Sequence, residues 1–254
     1  MDLQQASAAL NGKRVFVTGA TGFVGSHLAR RLLDLGAKVV LLVRKTSDQK
    51  LIAEFSQRGA EIVTGDVTDR DSVFKAAQGA DYIFHIAALF RQAKFPDEVY
   101  RQVNVEGSRN VFEAAEKFKV KRIVHCSTIG VLGNIKNPPA NETQPYGPMD
   151  VYQVSKMEGE KLFLNKCKAG EINGVCIRPG MIWGEGDKRI LKLYKAVAHG
   201  KPTILGSGNT WTHWIYIADL VNSFILASQV QGIEGEVFII AGDKPVALEQ
   251  LVQF

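Results

Sequence analysis

The chain has 254 residues, 46% of them hydrophobic, enough to bury a sizeable core in one large α/β domain or one domain with an appendage. Its net charge is +5, but Lys and Arg are scattered rather than clustered, which disfavours nucleic acid as a partner and favours small anionic molecules. Three cysteines without CxxC spacing and five histidines without ligand spacing argue against a disulfide framework and against any metal site. Residues 1–10 lack the basic-then-apolar order of a signal peptide, and no apolar run reaches about 18 residues, so the expectation is a cytoplasmic protein with no membrane partner.

Short, nearly all-apolar segments occur at 15–18, 39–43, 62–64, 82–86, 123–127, 175–178 and 237–241. Amphipathic stretches lie between them, at 23–35, 69–78, 103–118, 152–168, 188–199 and 217–228. Strands apolar on both faces and separated by helices predict a doubly wound parallel sheet of the α/β class, the Rossmann arrangement. Residues 137–148 form a loop rich in Pro and polar residues just before the helix that opens near Tyr152, a position where long loops tend to carry function. At the C-terminus, Leu248, Leu251 and Val252 read as the first turns of a helix that stops short, so a small substrate-side region is expected to be incomplete.

The most informative run is Val17-Thr18-Gly19-Ala20-Thr21-Gly22-Phe23-Val24-Gly25. An apolar strand enters three glycines and a helix follows, so backbone N–H groups at a positive helix end face a diphosphate. Gly19 suits the tight turn, Gly22 the close approach of phosphate, and Gly25 the packing of helix on strand. With Thr21, Phe23 and Val24 these residues are the candidate cofactor turn. The second signal is Tyr152-Gln153-Val154-Ser155-Lys156. Tyr and Lys four apart share a helix face, and an ammonium near a phenol favours the phenolate. Such a tyrosine exchanges a proton with an alcohol or ketone while a hydride moves at nicotinamide, and the lysine also suits the nicotinamide ribose. The third is Ser127-Thr128 at a strand end, where open parallel sheets bind ligands.

On these residues the chain resembles the extended short-chain dehydrogenase/reductase family, which includes the NAD-dependent epimerases and dehydratases. The resemblance runs over nearly the whole length. It is carried by TGxxGxxG at 18–25, Gly65-Asp66-Val67, His85-Ile86-Ala87-Ala88, Asn104-Val105-Glu106-Gly107, Ser127-Thr128 with Gly133, Tyr152 and Lys156, Arg178-Pro179-Gly180 with Gly184, and Tyr216 to Leu220. It implies that Asp66 and Val67 flank the adenine, that Ala87, Ala88 and Pro179 line the cofactor, and that Thr128, Tyr152 and Lys156 are catalytic. Thr128 rather than Ser127 takes that role because it lies five residues before Gly133. Ser127 then falls among the substrate-binding candidates, and Asn104 is implied to be structural. A homodimer through the helices at 103–118 and 152–168 is also implied.

The position that would hold an acidic residue for the NAD ribose is Val43, followed by Arg44 and Lys45. A cation there favours NADP over NAD as the NAD(P) cofactor, unless Arg44 stacks on the adenine instead. Ile129-Gly130 after Thr128 supply no carboxylate for dehydration, and Met181 and Thr212 stand where the nucleotide-sugar enzymes of the family carry Asn and Arg. Met181, Trp183 and Trp214, with Trp211, predict a more apolar pocket. The expected function is hydride transfer at a secondary alcohol or ketone of a sugar derivative, by an oxidoreductase or epimerase. The alternative substrate is an apolar ketone, as in the dihydroflavonol-reductase-like and 3β-hydroxysteroid-dehydrogenase-like branches. A dinucleotide-binding sensor without catalysis is the contrasting reading, and an intact triad disfavours it. The expected division gives residues 1–180, with 215–242, to the dinucleotide domain and 181–214 with 243–254 to the substrate side.

Overall fold

The computed structural model describes residues 1–90, 95–199, 211–247 and 250. In chain order its elements are α1 (Leu3–Ala8), β1 (Arg14–Thr18), α2 (Phe23–Asp34), β2 (Lys38–Val43), α3 (Gln49–Gln57), β3 (Glu61–Thr64), α4 (Arg70–Ala77) and β4 (Tyr82–His85). There follow α5 (Asp97–Arg101), a single π-turn at Gln102–Glu106, α6 (Gly107–Lys117), β5 (Arg122–Cys126), a 3₁₀ turn at Ile129–Leu132, α7 (Val151–Lys168) and β6 (Gly174–Pro179). The last described elements are β7 (Met181–Trp183), α8 (Leu191–Ala198), β8 (Trp211–Tyr216), α9 (Ile217–Gln229), β9 (Val237–Ile240) and β10 (Pro245–Ala247).

Seven strands form one parallel sheet in the order β3-β2-β1-β4-β5-β6-β9, the doubly wound arrangement expected from the alternating pattern. The alternation of β1 explains why its sequence is apolar throughout. Val15 and Val17 pack on one side with Leu28, Leu32 and Phe224, while Phe16 packs on the other with Val40, Phe112 and Phe163. The chain winds from β1 to β2 and β3 on one side, then returns to β4 on the other, so the crevice opens beyond Thr18 and its register partner His85. A second sheet, β10-β8-β7, was not foreseen; its outer strands are three residues long, too short to show a period.

The helix expected at 103–118 begins earlier, as α5 behind Pro96, with Asp97 and Glu98 in the first turn favoured by the helix dipole. It runs through the π-turn, which contains Asn104, into α6. α3 lies outside the helices expected from periodicity and is capped by Asp48, whose carboxylate accepts from Lys50 N–H at 2.9 Å. Leu248, Leu251 and Val252, the expected start of a terminal helix, lie outside the described residues. No described helix is long and apolar enough to cross a membrane.

Candidate active site

The glycine turn follows β1 directly. Gly19 has φ +75°, a backbone favoured by glycine, and a Cβ there would lie 2.7 Å from the backbone N of Ala87. Ala87 in turn donates its N–H to Thr18 Oγ1 at 3.2 Å, so the exits of β1 and β4 are laced together. A Cβ on Gly25 would fall 2.1 Å from Gly19 O, so α2 rests on the turn with no room for a side chain. Gly22 is the N-cap of α2 and provides no side-chain acceptor, so no cap side chain takes up the first-turn N–H groups, which include those of Phe23 and Val24. Asp66 is turned on its own loop, accepting from Thr68 N–H and Thr68 O–H at 2.9 Å each, and Val67 is buried against Gly107. Arg44 is exposed just past the end of β2, its N–H bonded to Ser47 Oγ at 3.1 Å. This cradle and donor set fit a dinucleotide diphosphate, and Pro179 closes the end of β6 nearby in the same sheet.

α7 starts at Val151 because Asp150 caps it, accepting from Gln153 N–H at 2.8 Å. Tyr152 and Lys156 fall on its inward face and are 9% and 2% exposed. Lys156 Nζ donates to the carbonyl of Cys126 at 2.7 Å, two residues before Thr128. Burial holds the Lys156 pKa below the ordinary lysine value, partly opposed by Cys126, Cys176 and Glu160. Thr128 is half-buried, and its Oγ1 accepts from Gly130 N–H at 3.1 Å. The Tyr152 ring meets Phe90 edge-on at 5.0 Å, and Phe90 belongs to the loop that carries Ala87 and Ala88. That loop is pinned to α7 by Asn104: its Oδ1 accepts from Leu89 N–H at 2.7 Å, and its Nδ2 donates to Leu89 O and Ser155 Oγ.

A model of the NAD-dependent epimerase/dehydratase family matches residues 15–241. The chain belongs to that family. It is 35% identical over 227 residues to a 3 beta-hydroxysteroid dehydrogenase/Delta 5-->4-isomerase of Mycobacterium tuberculosis, covering 85% of this chain and 60% of the relative. It is 32% identical to the N-acetyl-alpha-D-glucosaminyl-diphospho-ditrans,octacis-undecaprenol 4-epimerase of Escherichia coli O157:H7, over 82% of this chain and 60% of that protein. The chain thus spans about 60% of the length of these curated relatives. Among solved structures it superposes on epimerase Mth375 of Methanothermobacter thermautotrophicus with a TM-score of 0.86 at 27% identity, covering 98% of this chain and 78% of that one.

Ser127 is 4% exposed and donates its hydroxyl to Glu160, which sits one helical turn beyond Lys156. Glu160 is fully buried and also accepts from Tyr146 O–H at 2.7 Å and from Arg178 Nη2–H at 2.6 Å. The Arg178 guanidinium is itself 3% exposed; burial pulls its pKa down, but the bond and charge of Glu160 outweigh that and hold it raised. This buried cluster ties β5, the loop at 137–148, α7 and β6 behind Thr128. Sequence reading missed Glu160, although Tyr152, Lys156 and Glu160 are each four apart and form one inward stripe.

Below the crevice lies a second buried group. Ser108 donates to Asn104 O at 2.7 Å, so it accepts from His85 Nε2 at 2.8 Å, and His85 Nδ1 accepts from Thr18 O–H at 2.8 Å. The network therefore assigns the His85 proton to Nε2. Burial, aided by the Lys156 charge, lowers the His85 pKa to about 3. His125 stacks on His85 and Phe163, with neither ring nitrogen bonded to a described residue.

The structure brings Met181, Trp183 and Trp214 onto one face of the small sheet. Met181 is paired with Trp214, and Trp183 with Tyr216, whose rings lie 4.9 Å apart. Met181 and Trp183 remain 43% and 41% exposed, so they are surface rather than core. Trp211 is exposed as well. Tyr216 O–H donates to Glu185 at 2.8 Å, and the Glu185 carbonyl lies 3.0 Å from His27 Nε2 on α2, which joins this sheet to the glycine turn. Thr212 Oγ1 accepts from Trp214 Nε1–H at 2.7 Å within β8, and His213 Nε2 lies 2.6 Å from the Gly242 carbonyl between β9 and β10. Among the described residues no group of three or more His, Cys, Asp or Glu could hold a metal ion.

Proposed function

We propose that this protein is an NAD(P)-dependent oxidoreductase or epimerase acting at a secondary alcohol or ketone. The observation that carries the reading is the placement of Tyr152 and Lys156 on one buried face of α7, with Lys156 bonded to the strand end that leads into Thr128. The cofactor is held by Gly19, Thr21, Gly22, Phe23, Val24 and Gly25 at its diphosphate, by Asp66 and Val67 at the adenine, and by Ala87, Ala88 and Pro179 along its length. When bound, it supplies the donor or acceptor for hydride. Tyr152 takes the proton from the substrate hydroxyl in oxidation and returns it to the carbonyl oxygen in reduction. Thr128 holds that oxygen by hydrogen bonding. Lys156 keeps positive charge beside the phenol and holds the nicotinamide ribose.

The guanidinium of Arg44 is exposed and makes no hydrogen bond to a described residue, which supports a contact with the 2′-phosphate of NADP. The apolar face of Met181, Trp183 and Trp214 favours an apolar alcohol or ketone over a polar sugar. The sugar-derivative reading retains support from the epimerase relative. On this reading residues 1–180 with 215–242 bind the cofactor, and 181–214 with 243–254 meet the substrate.

The test is Tyr152→Phe. Turnover of alcohols or ketones should fall by at least about 100-fold, the usual worth of a general acid/base, while NAD(P)H binding persists. Unchanged turnover would reject the assignment. Net NADPH consumption with an apolar ketone identifies a reductase, whereas retained cofactor without consumption identifies an epimerase.

A further inference from the structure

The segment after β7 returns towards the main sheet carrying Asp187 and Arg189. The Asp187 carboxylate is 1% exposed and holds Arg189 in a tight turn. Its Oδ1 accepts from Arg189 N–H at 2.8 Å and from Nε–H at 2.9 Å, and its Oδ2 accepts from Nη2–H at 2.8 Å. Nη2 also donates to the carbonyl of Ile182 at 2.7 Å. A guanidinium carries five N–H donors. Three are used in this way, and the two on Nη1 have no acceptor among the described residues.

The position of this fork is informative. Its central carbon lies 5.3 Å from the ring centre of Phe23 and 5.9 Å from that of Phe90. Phe23 is the first residue of α2, where the helix end has no side-chain cap, and Phe90 leans on Tyr152. Arg189 therefore bridges the gap between the glycine turn and the phenol. It is attached to the segment after β7 by a desolvated carboxylate, and its two aromatic neighbours fix it from the other side. Structural ion pairs need no such reach, and one exposed to solvent at its far end adds little to stability.

We infer that Arg189 is an anion-gripping residue whose Nη1 donors bind the diphosphate of the dinucleotide from the substrate side. The inference rests on the reading that the glycine turn holds a dinucleotide. Asp187 neutralises the net charge of the pair, so the grip comes from directed N–H donors rather than from long-range attraction. A lysine has no fork to divide between Asp187 and a phosphate, and it should not substitute. Asp187 is a positioning residue in this arrangement, since it acts only through Arg189.

The test is binding to the protein without cofactor, read by calorimetry, for wild type, Arg189→Gln and Arg189→Lys, with unfolding midpoints as the check on folding. The probes are NADH, NADPH, ADP and adenosine. Arg189→Gln should weaken both dinucleotides and ADP by about 10- to 100-fold, as expected for charge-assisted bonds. Adenosine, which has no phosphate, should bind both proteins equally, and Arg189→Lys should recover less than half of the loss on a logarithmic scale. Dinucleotide and ADP affinities unchanged in a folded Arg189→Gln protein would overturn the inference. So would unchanged affinities accompanied by a raised KM for an anionic substrate, which would assign the arginine to that substrate. A wild-type protein that binds no dinucleotide would overturn the functional reading itself, a result distinct from either.

Discussion

Glu160 offers the sharpest energetic test of the site's construction. In Glu160→Leu the Arg178 guanidinium loses its buried counter-charge and, among the described residues, keeps its bond to the Glu142 carbonyl at 3.2 Å and its place over the Tyr146 ring. Ser127 and Tyr146 lose their hydroxyl acceptor at the same time. Removing one partner of a buried ion pair costs about 3–5 kcal/mol, a large share of the roughly 5–15 kcal/mol that separates folded from unfolded domains. The orphaned Ser127 hydroxyl, which is buried, pushes the loss to the upper end of that range, since an unsatisfied buried donor costs about 1–3 kcal/mol and the costs are not simply additive. Replacing both charges, in Glu160→Leu with Arg178→Met, removes the stranded guanidinium and should recover at least half of the loss. Urea unfolding of the wild type, both single variants and the double variant measures each quantity. A single variant losing less than about 1 kcal/mol, or a double variant no more stable than Glu160→Leu, would show that the cluster does not hold the site together in the way argued.

Three further outcomes are expected. Gly25→Ala places a methyl 2.1 Å from Gly19 O, about 1.3 Å inside ordinary contact at 3.4 Å, so α2 must retreat. Stability should fall by about 1–3 kcal/mol and NAD(P)H affinity with it, and a calorimetric titration matching wild type would disprove the packing argument. The His85 pKa lies at about 3 in the fold against 6.5 for the free group, so the unfolded chain binds the extra proton between those values. Stability is therefore present above about pH 6.5 and is lost as pH falls towards 3, at up to about 1.4 kcal/mol per pH unit for each such histidine. His125 shifts in the same direction through burial, so His125→Phe should flatten the loss between pH 6.5 and 4 in urea titrations; an unaltered slope counts against its part in it. Arg44→Asp should lower the affinity for NADPH by about tenfold or more and leave NADH bound as well or better; equal losses for both would remove Arg44 from cofactor selection.

What could be read from the sequence was what neighbouring residues settle among themselves. The parallel sheet is visible because the strands are apolar at nearly every position, as β1 is from Val15 to Val17, with Phe16 facing the opposite layer. The glycine turn is visible because Gly19, Gly22 and Gly25 are constrained within a single turn and helix start. Tyr152 and Lys156 are visible because four residues make one face of a helix. The helix start at Asp97 could have been read as well, from acids following Pro96.

Other features depend on residues far apart in the chain. The acceptor of the Ser127 hydroxyl, Glu160, lies thirty-three positions further along the chain. The role of Asn104 depends on Leu89 and Ser155 arriving beside it. The small sheet exists because β7 finds β8 across the α8 segment, and strands of three residues carry no period to announce themselves. Arg189 reads locally as one more surface cation, and only packing brings the rings of Phe23 and Phe90 to within 5.3 and 5.9 Å of its guanidinium carbon. Local backbone preference and periodicity act over a few residues and can be read from the chain; which buried charge meets which hydroxyl is decided only when separate elements pack and water is excluded between them.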